Sequence, residues 1–474
     1  MKHLLMAAAL VLAANAAHAE KPATQATKEA QAKVLTSLPF DDTQDFELAR
    51  RGLIAQPDPL IVKNANGDVI WDMSQFDYLN GPRPDTVNPS LWRQAKLNAI
   101  YGLFQVTNRI YQIRGFDAAN MTLIEGDTGW IIVDPLTATE TVRAAMEVVD
   151  RHFGKRPVKA ILSTHSHADH FGGIRALASE DDLASGKIRF VAPAGFIEEA
   201  ASENVIAGNA MSRRAFYMFG NPLPRTATGN IDSGLAKGVA FGTISLLTPT
   251  DLITRTGQKL VLDGVTFEFQ NVPGAEAPAE FIFYLPEFKA LCLAEEVNAV
   301  MHNLYTPRGA KVRDALIWSR HLTDTLELFG DRMDLAFGSH HWPRWGREEA
   351  FEYISKQRDM YRFMHDQTVR LMNSGYTPKH PRQRQWVARK LYIAQHNFFR
   401  ETGFAQRHPI EQRARELQAG IGFRVLLAGN IIEHAVFQRQ HKLFIRIGEI
   451  EIDFNFQIIG IFGVKPHCHK IQKH

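Results

Sequence analysis

VKAILSTHSHADHFGG (158–173) runs from an apolar stretch, 158–164, directly into His165, His167, Asp169 and His170, then into Gly172 and Gly173. A short apolar run bounded by polar residues reads as a buried strand. The end of such a strand is where α/β sheets place their ligand sites. Three imidazoles and a carboxylate on one tight loop reach a common centre without long-range folding, and the two glycines let the backbone behind them approach closely. Four such ligands in one segment suit a pair of metal ions, with His165 and His167 serving one and Asp169 and His170 the other.

Outward from this segment the pattern stays α/β. MTLIEG (121–126) and WIIVDP (130–135), joined at Asp127, Thr128 and Gly129, predict strand, turn and strand. Helical spacing over 139–149 then leads into 158–164, so strand, strand, helix, strand follow in order. Further apolar runs at 188–192, 259–270, 280–284 and 289–293 predict strands, 314–330 an amphipathic helix, 333–338 a closing strand and 346–374 a helix. Upstream, 90–104 predicts a helix capped by Ser90, 58–90 loops that wrap the body, and the small polar residues of 20–37 a flexible leader.

With 474 residues, 45% hydrophobic and 22% charged, the chain has the balance of a globular protein of more than one domain. The net charge of +3 hides an asymmetry: 1–378 hold 38 Lys/Arg against 44 Asp/Glu, whereas 379–474 hold 16 against 7. An acidic body excludes a nucleic-acid partner. MKHLLMAAALVLAANAAHA (1–19) combines a positive start, a short apolar run and a small-x-small end, which predicts a signal peptide, a mature start near Glu20 and a periplasmic or secreted location. No later run has the length of a membrane span, so membrane insertion is not expected. The chain's two cysteines, Cys292 and Cys468, lie in the body and the tail, and no disulfide is expected between them.

Each ion needs further ligands, and residues 171–301 contain no histidine. A ligand from that stretch must be a carboxylate. Glu276 in NVPGAEAPAE and Glu295 in LCLAEEV stand where strands give way to loops, with Glu280 and Glu296 as neighbouring alternatives. His302, His340 and His341 are the next histidine candidates; the last two follow the 333–338 run as His165 follows its own.

THSHADHFGG resembles the metal-binding signature of the metallo-β-lactamase fold, and the text around it is similar to the secreted alkylsulfatase branch. DTVNPSLWRQ (85–94), NMTLIEGDTGWIIVDPL (120–136), VMHNLYTPRGAKVRDA (300–315) and GSHHWPRWG (338–346) carry that likeness over about 40–375. The resemblance implies an αββα sandwich with two Zn²⁺ ions. His165, His167 and Glu276 would hold one ion, Asp169, His170 and His340 the other, with Glu295 bridging. It further implies that Asn303, Tyr305, Thr306, Arg308 and Arg313 hold the sulfate group of an alkyl sulfate ester, such as dodecyl sulfate.

Two zinc dications, three carboxylates and a hydroxide together approach neutrality, so anion capture falls to nearby cations. Arg308 and Arg313 supply guanidiniums suited to tetrahedral oxyanions. The ions would make hydroxide available near neutral pH, while the poor alkoxide leaving group needs a proton, for which His302 is the candidate. The apolar lining for the alkyl chain is expected from 196–245. Two rival readings are a hydrolase of the same fold acting on another ester, lactone, lactam or phosphodiester, and an inactive surfactant-binding protein. The first would be expected to keep a histidine within 171–301; retained metal would count against the second.

The expected plan is a signal peptide (1–19), a catalytic domain with its wrapping segment (20–345), an incomplete dimerisation-like helical region (346–395) and a divergent tail (396–474). Members of the branch continue into a helical dimerisation region and a sterol-carrier-like domain, but only 134 residues follow His340 and the likeness fades after Pro378. From 379 onward the chain holds 8 of its 19 histidines and ends in the alternating EIEIDFNF (449–456) and apolar QIIGIFGV (457–464). A frame-shifted or truncated remnant is expected there, with the family-type homodimer in doubt.

Overall fold

The runs flanking the histidine loop form the middle of an eight-stranded sheet. A computed structural model describes residues 21–376 and the strands Leu443–Ile447 and Ile450–Phe454. In spatial order the first sheet is β1 (Leu53–Ala55), β2 (Gly102–Thr107), β3 (Ile110–Arg114), β4 (Met121–Glu125), β5 (Trp130–Val133), β6 (Val158–Leu162), β7 (Arg189–Pro193) and β8 (Asp251–Ile253). Its first five strands pair antiparallel and its last four parallel, with β5 shared. A second sheet runs β9 (Lys259–Leu262), β10 (Val265–Asn271), β11 (Phe281–Leu285), β12 (Ala290–Cys292), β13 (Leu335–Phe337) and β14 (Arg344–Trp345). Only its β12–β13 pair is parallel.

Side-chain alternation divides each strand between two cores. Ile131 and Val133 of β5 pack against Phe267, Phe269, Phe281 and Phe283 of the second sheet. Trp130 and Ile132 face the other way, with Val142, Ala145 and Val149 of α1 (Thr139–Phe153). Beyond α2 (Gly208–Met218), α3 (Ala315–Phe329) crosses from β12 to β13 and covers the outer face of the second sheet together with α4 (Arg347–Asn373). Trp318 of α3 stacks on Tyr361 of α4 at 4.1 Å between ring centroids. Helix, sheet, sheet, helix is the αββα sandwich expected from the sequence.

Most elements stand within a residue or two of their predicted places; the differences have local causes. The helix expected over 90–104 spans Pro89–Asn98 and is capped by Asn88, whose side chain accepts from the Ser90 N–H, because residues from 102 onward are drawn into β2. The single run at 259–270 is two strands, broken where Asp263 takes φ +40° ahead of Gly264. The supposed leader contains a helix, Gln25–Ser37, started by the Thr24 side chain on the Thr27 N–H and anchored by buried Val34. Gln, Lys, Glu and Ala favour that helix intrinsically.

Cys292 is buried as a free thiol. Among the described residues no helix is long and apolar enough to cross a membrane. The predicted signal peptide, the 377–395 part of the helical region, Cys468 and most of the tail lie outside the described residues. The chain divides into units Met1–Gly403 and Phe404–His474, and in the second the strands Leu443–Ile447 and Ile450–Phe454 pair antiparallel. The latter falls within the alternating run. Phe283 is fully buried between the sheets, so Phe283→Ala is expected to cost about 3–5 kcal/mol, read as a lower urea midpoint in equilibrium unfolding.

Candidate metal centre

The histidine loop leaves β6 at the edge where both sheets end their parallel pairs. Asp134, one residue past β5 and in a left-handed conformation (φ +56°), accepts from the Thr164 N–H (2.8 Å) and the Thr164 hydroxyl (2.9 Å). It also faces His170 Nδ1 at 3.0 Å and accepts from the Ser339 hydroxyl, in the loop that follows β13. A carboxylate on Nδ1 keeps the proton there and leaves Nε2 as the ligand atom. His340 is oriented in the same way by the Ala118 carbonyl, 3.0 Å from its Nδ1.

Two groups of four side chains result. His165, His167, Glu276 and Glu295 bring ligand atoms within 4.8 Å of one another, as do Asp169, His170, Glu295 and His340, so Glu295 belongs to both. Glu295 Oε2 lies 3.2 Å from His165 Nε2 and 3.1 Å from His170 Nε2, and its Oε1 lies 3.3 Å from His340 Nε2. Glu276 Oε2 is 3.1 Å from His167 Nδ1 and 3.5 Å from His165 Nε2. The Nε2 atoms of His165, His170 and His340 and Glu276 Oε2 are buried with no hydrogen-bond partner. Buried polar atoms are seldom left so; four converging ones, all on imidazoles and carboxylates, fit bound metal.

These contacts also separate the four glutamates. Glu280 and Glu296 lie behind the clusters as fully buried carboxyls. Glu280 accepts from the backbone N–H groups of Ala277 (3.1 Å) and Glu295 (3.3 Å), and Glu296 from that of Glu276 (3.3 Å). Burial and the neighbouring carboxylates push Glu280 well above the usual carboxyl range, and burial raises Glu296 as well. Glu276 and Glu295 go the opposite way. Burial opposes their ionisation, but Arg313 beside Glu276 and His340 beside Glu295 hold both well below that range. His341 turns away at φ +60°; its Nδ1 accepts from the Ala299 N–H, and burial lowers it to about 3.

The sulfate-binding candidates divide. Asn303, Thr306, Arg308, Arg313 and His302 all line a cavity of about 640 Å³ that also contains His167, Asp169, Glu276 and Glu295. Met211, Met218, Phe219, Leu223 and Ile244 give it an apolar wall, from the 196–245 region expected to supply one. Tyr305 is not in that wall and is 69% exposed, because it and Thr306 face opposite sides of the loop. Arg313 is committed to its neighbours: Nε and Nη2 donate to the backbone carbonyl and carboxylate of Glu276, and Nη1 to Asn303 Oδ1 (2.6 Å) and O (3.0 Å). His302 Nδ1 lies 3.1 Å from the Asn303 carbonyl, and its Nε2 lies 3.0 Å from Glu295 Oε1.

Sequence reasoning missed Asp134, Ser339 and Glu203. The signal available for Asp134 was its place directly after an apolar strand parallel to the one that ends in the histidines.

With this geometry in hand, comparison places the chain. Residues 114–340 match the family model "Metallo-beta-lactamase superfamily". Over most of its length the chain is homologous to alkylsulfatases. A linear primary-alkylsulfatase from a Pseudomonas species is 48% identical over 377 residues, covering 79% of this chain and 56% of the relative. An alkyl/aryl-sulfatase from Saccharomyces cerevisiae is 43% identical over 360 residues, covering 76% and 56%. The solved structure of the inverting sec-alkylsulfatase Pisa1 from Pseudomonas matches with a TM-score of 0.73 at 47% identity, covering 76% of this chain and 57% of that one. The chain therefore spans a little over half the length of these relatives.

Removing the Asp134 carboxylate frees the rings and loops it orients. Asp134→Ala is expected to weaken metal binding about 10- to 100-fold, measured by equilibrium dialysis with metal analysis.

Proposed function

We propose that this chain hydrolyses alkyl sulfate esters to the alcohol and inorganic sulfate with two zinc ions, after export to the periplasm or beyond the cell. The observation that carries this reading is the pair of ligand clusters sharing Glu295, open to one cavity that holds a guanidinium and an apolar wall. The relatives named for alkyl sulfate hydrolysis support the substrate class. His165, His167 and Glu276 would hold one ion and Asp169, His170 and His340 the other, with Glu295 between them. Zinc, when bound, supplies activated water near neutral pH.

The chain's own residues supply the rest. Arg308, with Asn303 and Thr306 beside it, holds the anionic head by charge-assisted hydrogen bonds. Met211, Met218 and Phe219 receive the alkyl chain by apolar burial. Arg313 keeps Glu276 ionised and in place. His302 has Nδ1 committed to the Asn303 carbonyl, so the proton it transfers sits on Nε2, which faces the centre. That proton goes to the ester oxygen as its bond breaks.

Purified protein is expected to release inorganic sulfate from dodecyl sulfate, to lose that activity to a chelator and to regain it with zinc at two ions per chain. Absence of release from zinc-replete protein would overturn the reading. His302→Ala is expected to lower kcat by about 10²–10⁴ at unchanged metal content, and Arg308→Ala to raise KM about tenfold or more. N-terminal sequencing of the exported protein is expected to begin at Glu20.

A further inference from the structure

One carboxylate in the cavity wall has no place in the ligand clusters or in the chemistry above. Glu203 lies in the turn Ser202–Ile206, where the Ala207 N–H donates to the Ser202 carbonyl five residues back (2.9 Å). Such π-type turns recur at functional sites. Here Glu203 Oε1 accepts from Arg308 Nη1 at 2.9 Å, while Oε2 lies 3.8 Å from His167 Nε2. Its carboxylate therefore spans the gap between an imidazole of the metal cluster and the guanidinium assigned to the substrate's head. An oxyanion bridging those two groups would need the same space.

We propose that Glu203 is an internal counter-ion that the anionic head of the substrate displaces from Arg308, and that its carboxylate sets the affinity and head-group selectivity of the site. This inference rests on the oxyanion role given to Arg308 above. The two arginines differ in a way that supports it. All three guanidinium nitrogens of Arg313 are bonded to Glu276 and Asn303, and the Arg313 side chain is only 5% exposed. The Arg308 and Glu203 side chains retain 17% and 16% exposure, so an incoming solute reaches them. With Glu203 in place the charge of Arg308 is cancelled, and a neutral amphiphile gains nothing by separating the pair. A sulfate monoester offers its own oxygens to the guanidinium and replaces the carboxylate like for like. Other contacts keep the segment close while the exchange occurs: Lys311 pairs with Glu199 at 2.6 Å, and Arg214 donates to the Arg308 carbonyl at 3.2 Å.

The test is calorimetric titration of the metal-loaded protein with decyl sulfonate, whose carbon–sulfur bond is not an ester and is not hydrolysed. Glu203→Gln keeps the shape and removes the charge. It is expected to tighten binding about tenfold, and Glu203→Ala, as a second neutral variant, to tighten it as well. In an Arg308→Ala background the Glu203→Gln gain is expected to vanish. Thermal midpoint and metal content identify any variant that fails to fold, and the other neutral variant then carries the comparison. Unchanged or weaker binding in folded neutral variants would overturn the inference, since a carboxylate that merely positions Arg308 predicts that sign. Equal tightening with and without Arg308 would overturn it too, by showing repulsion through space. If Arg308→Ala alone leaves sulfonate binding unchanged, the oxyanion reading fails and the inference fails with it; if Arg308→Ala weakens binding while neither Glu203 variant tightens it, only the inference fails.

Discussion

The buried carboxylate of Asp134 joins the loops on which the metal clusters stand. An ionised carboxylate out of water is costly unless its oxygens are occupied. Here Thr164 supplies two donors, His170 a ring nitrogen and Ser339 a hydroxyl. Burial opposes its ionisation, but His170 and these hydrogen bonds outweigh that and hold Asp134 below its usual value. The donors come from the loop after β6 in the first sheet and the loop after β13 in the second. The same bonds that offset desolvation therefore fix the open edge of the sandwich, and with it the Nε2 atoms of His170 and His340.

Behind that edge the electrostatics are graded. Glu276 and Glu295 are held ionised where histidines face them, while Glu280 and Glu296, one layer back, are pushed toward their neutral forms. A neutral carboxyl can be buried without a counter-ion, and the oxygens of this pair fix the backbone N–H groups of both front glutamates. Arg313 is the cation that balances the front layer. Its commitment to Glu276 leaves Arg308, paired with Glu203, as the guanidinium proposed to meet a substrate anion.

Much of the candidate site was legible before folding because its residues are local or follow strands. HSHADH is a single loop, and His340 follows its strand as His165 follows its own. The choice among four glutamates was not legible, since Glu276 and Glu280, or Glu295 and Glu296, have the same composition around them. Their roles separate only through which oxygen meets a histidine and which meets a backbone N–H. Tyr305 and Thr306 show the same limit, as neighbours in one motif that turn to opposite sides of a loop.

By itself the sequence determined the α/β order, the histidine loop, the carboxylate candidates that accompany it and the elements of the sandwich, because apolar periodicity and residue spacing are local properties of a chain. Tertiary structure alone decided that the helix at 89 ends before residue 102, that His341 is structural, that Arg313 serves Glu276 and that Glu203 sits on Arg308. Glu203 and Arg308 are 105 residues apart in sequence and meet at 2.9 Å. A pairing of that kind leaves no trace in either neighbourhood, because it depends on how two sheets and the segments above them pack.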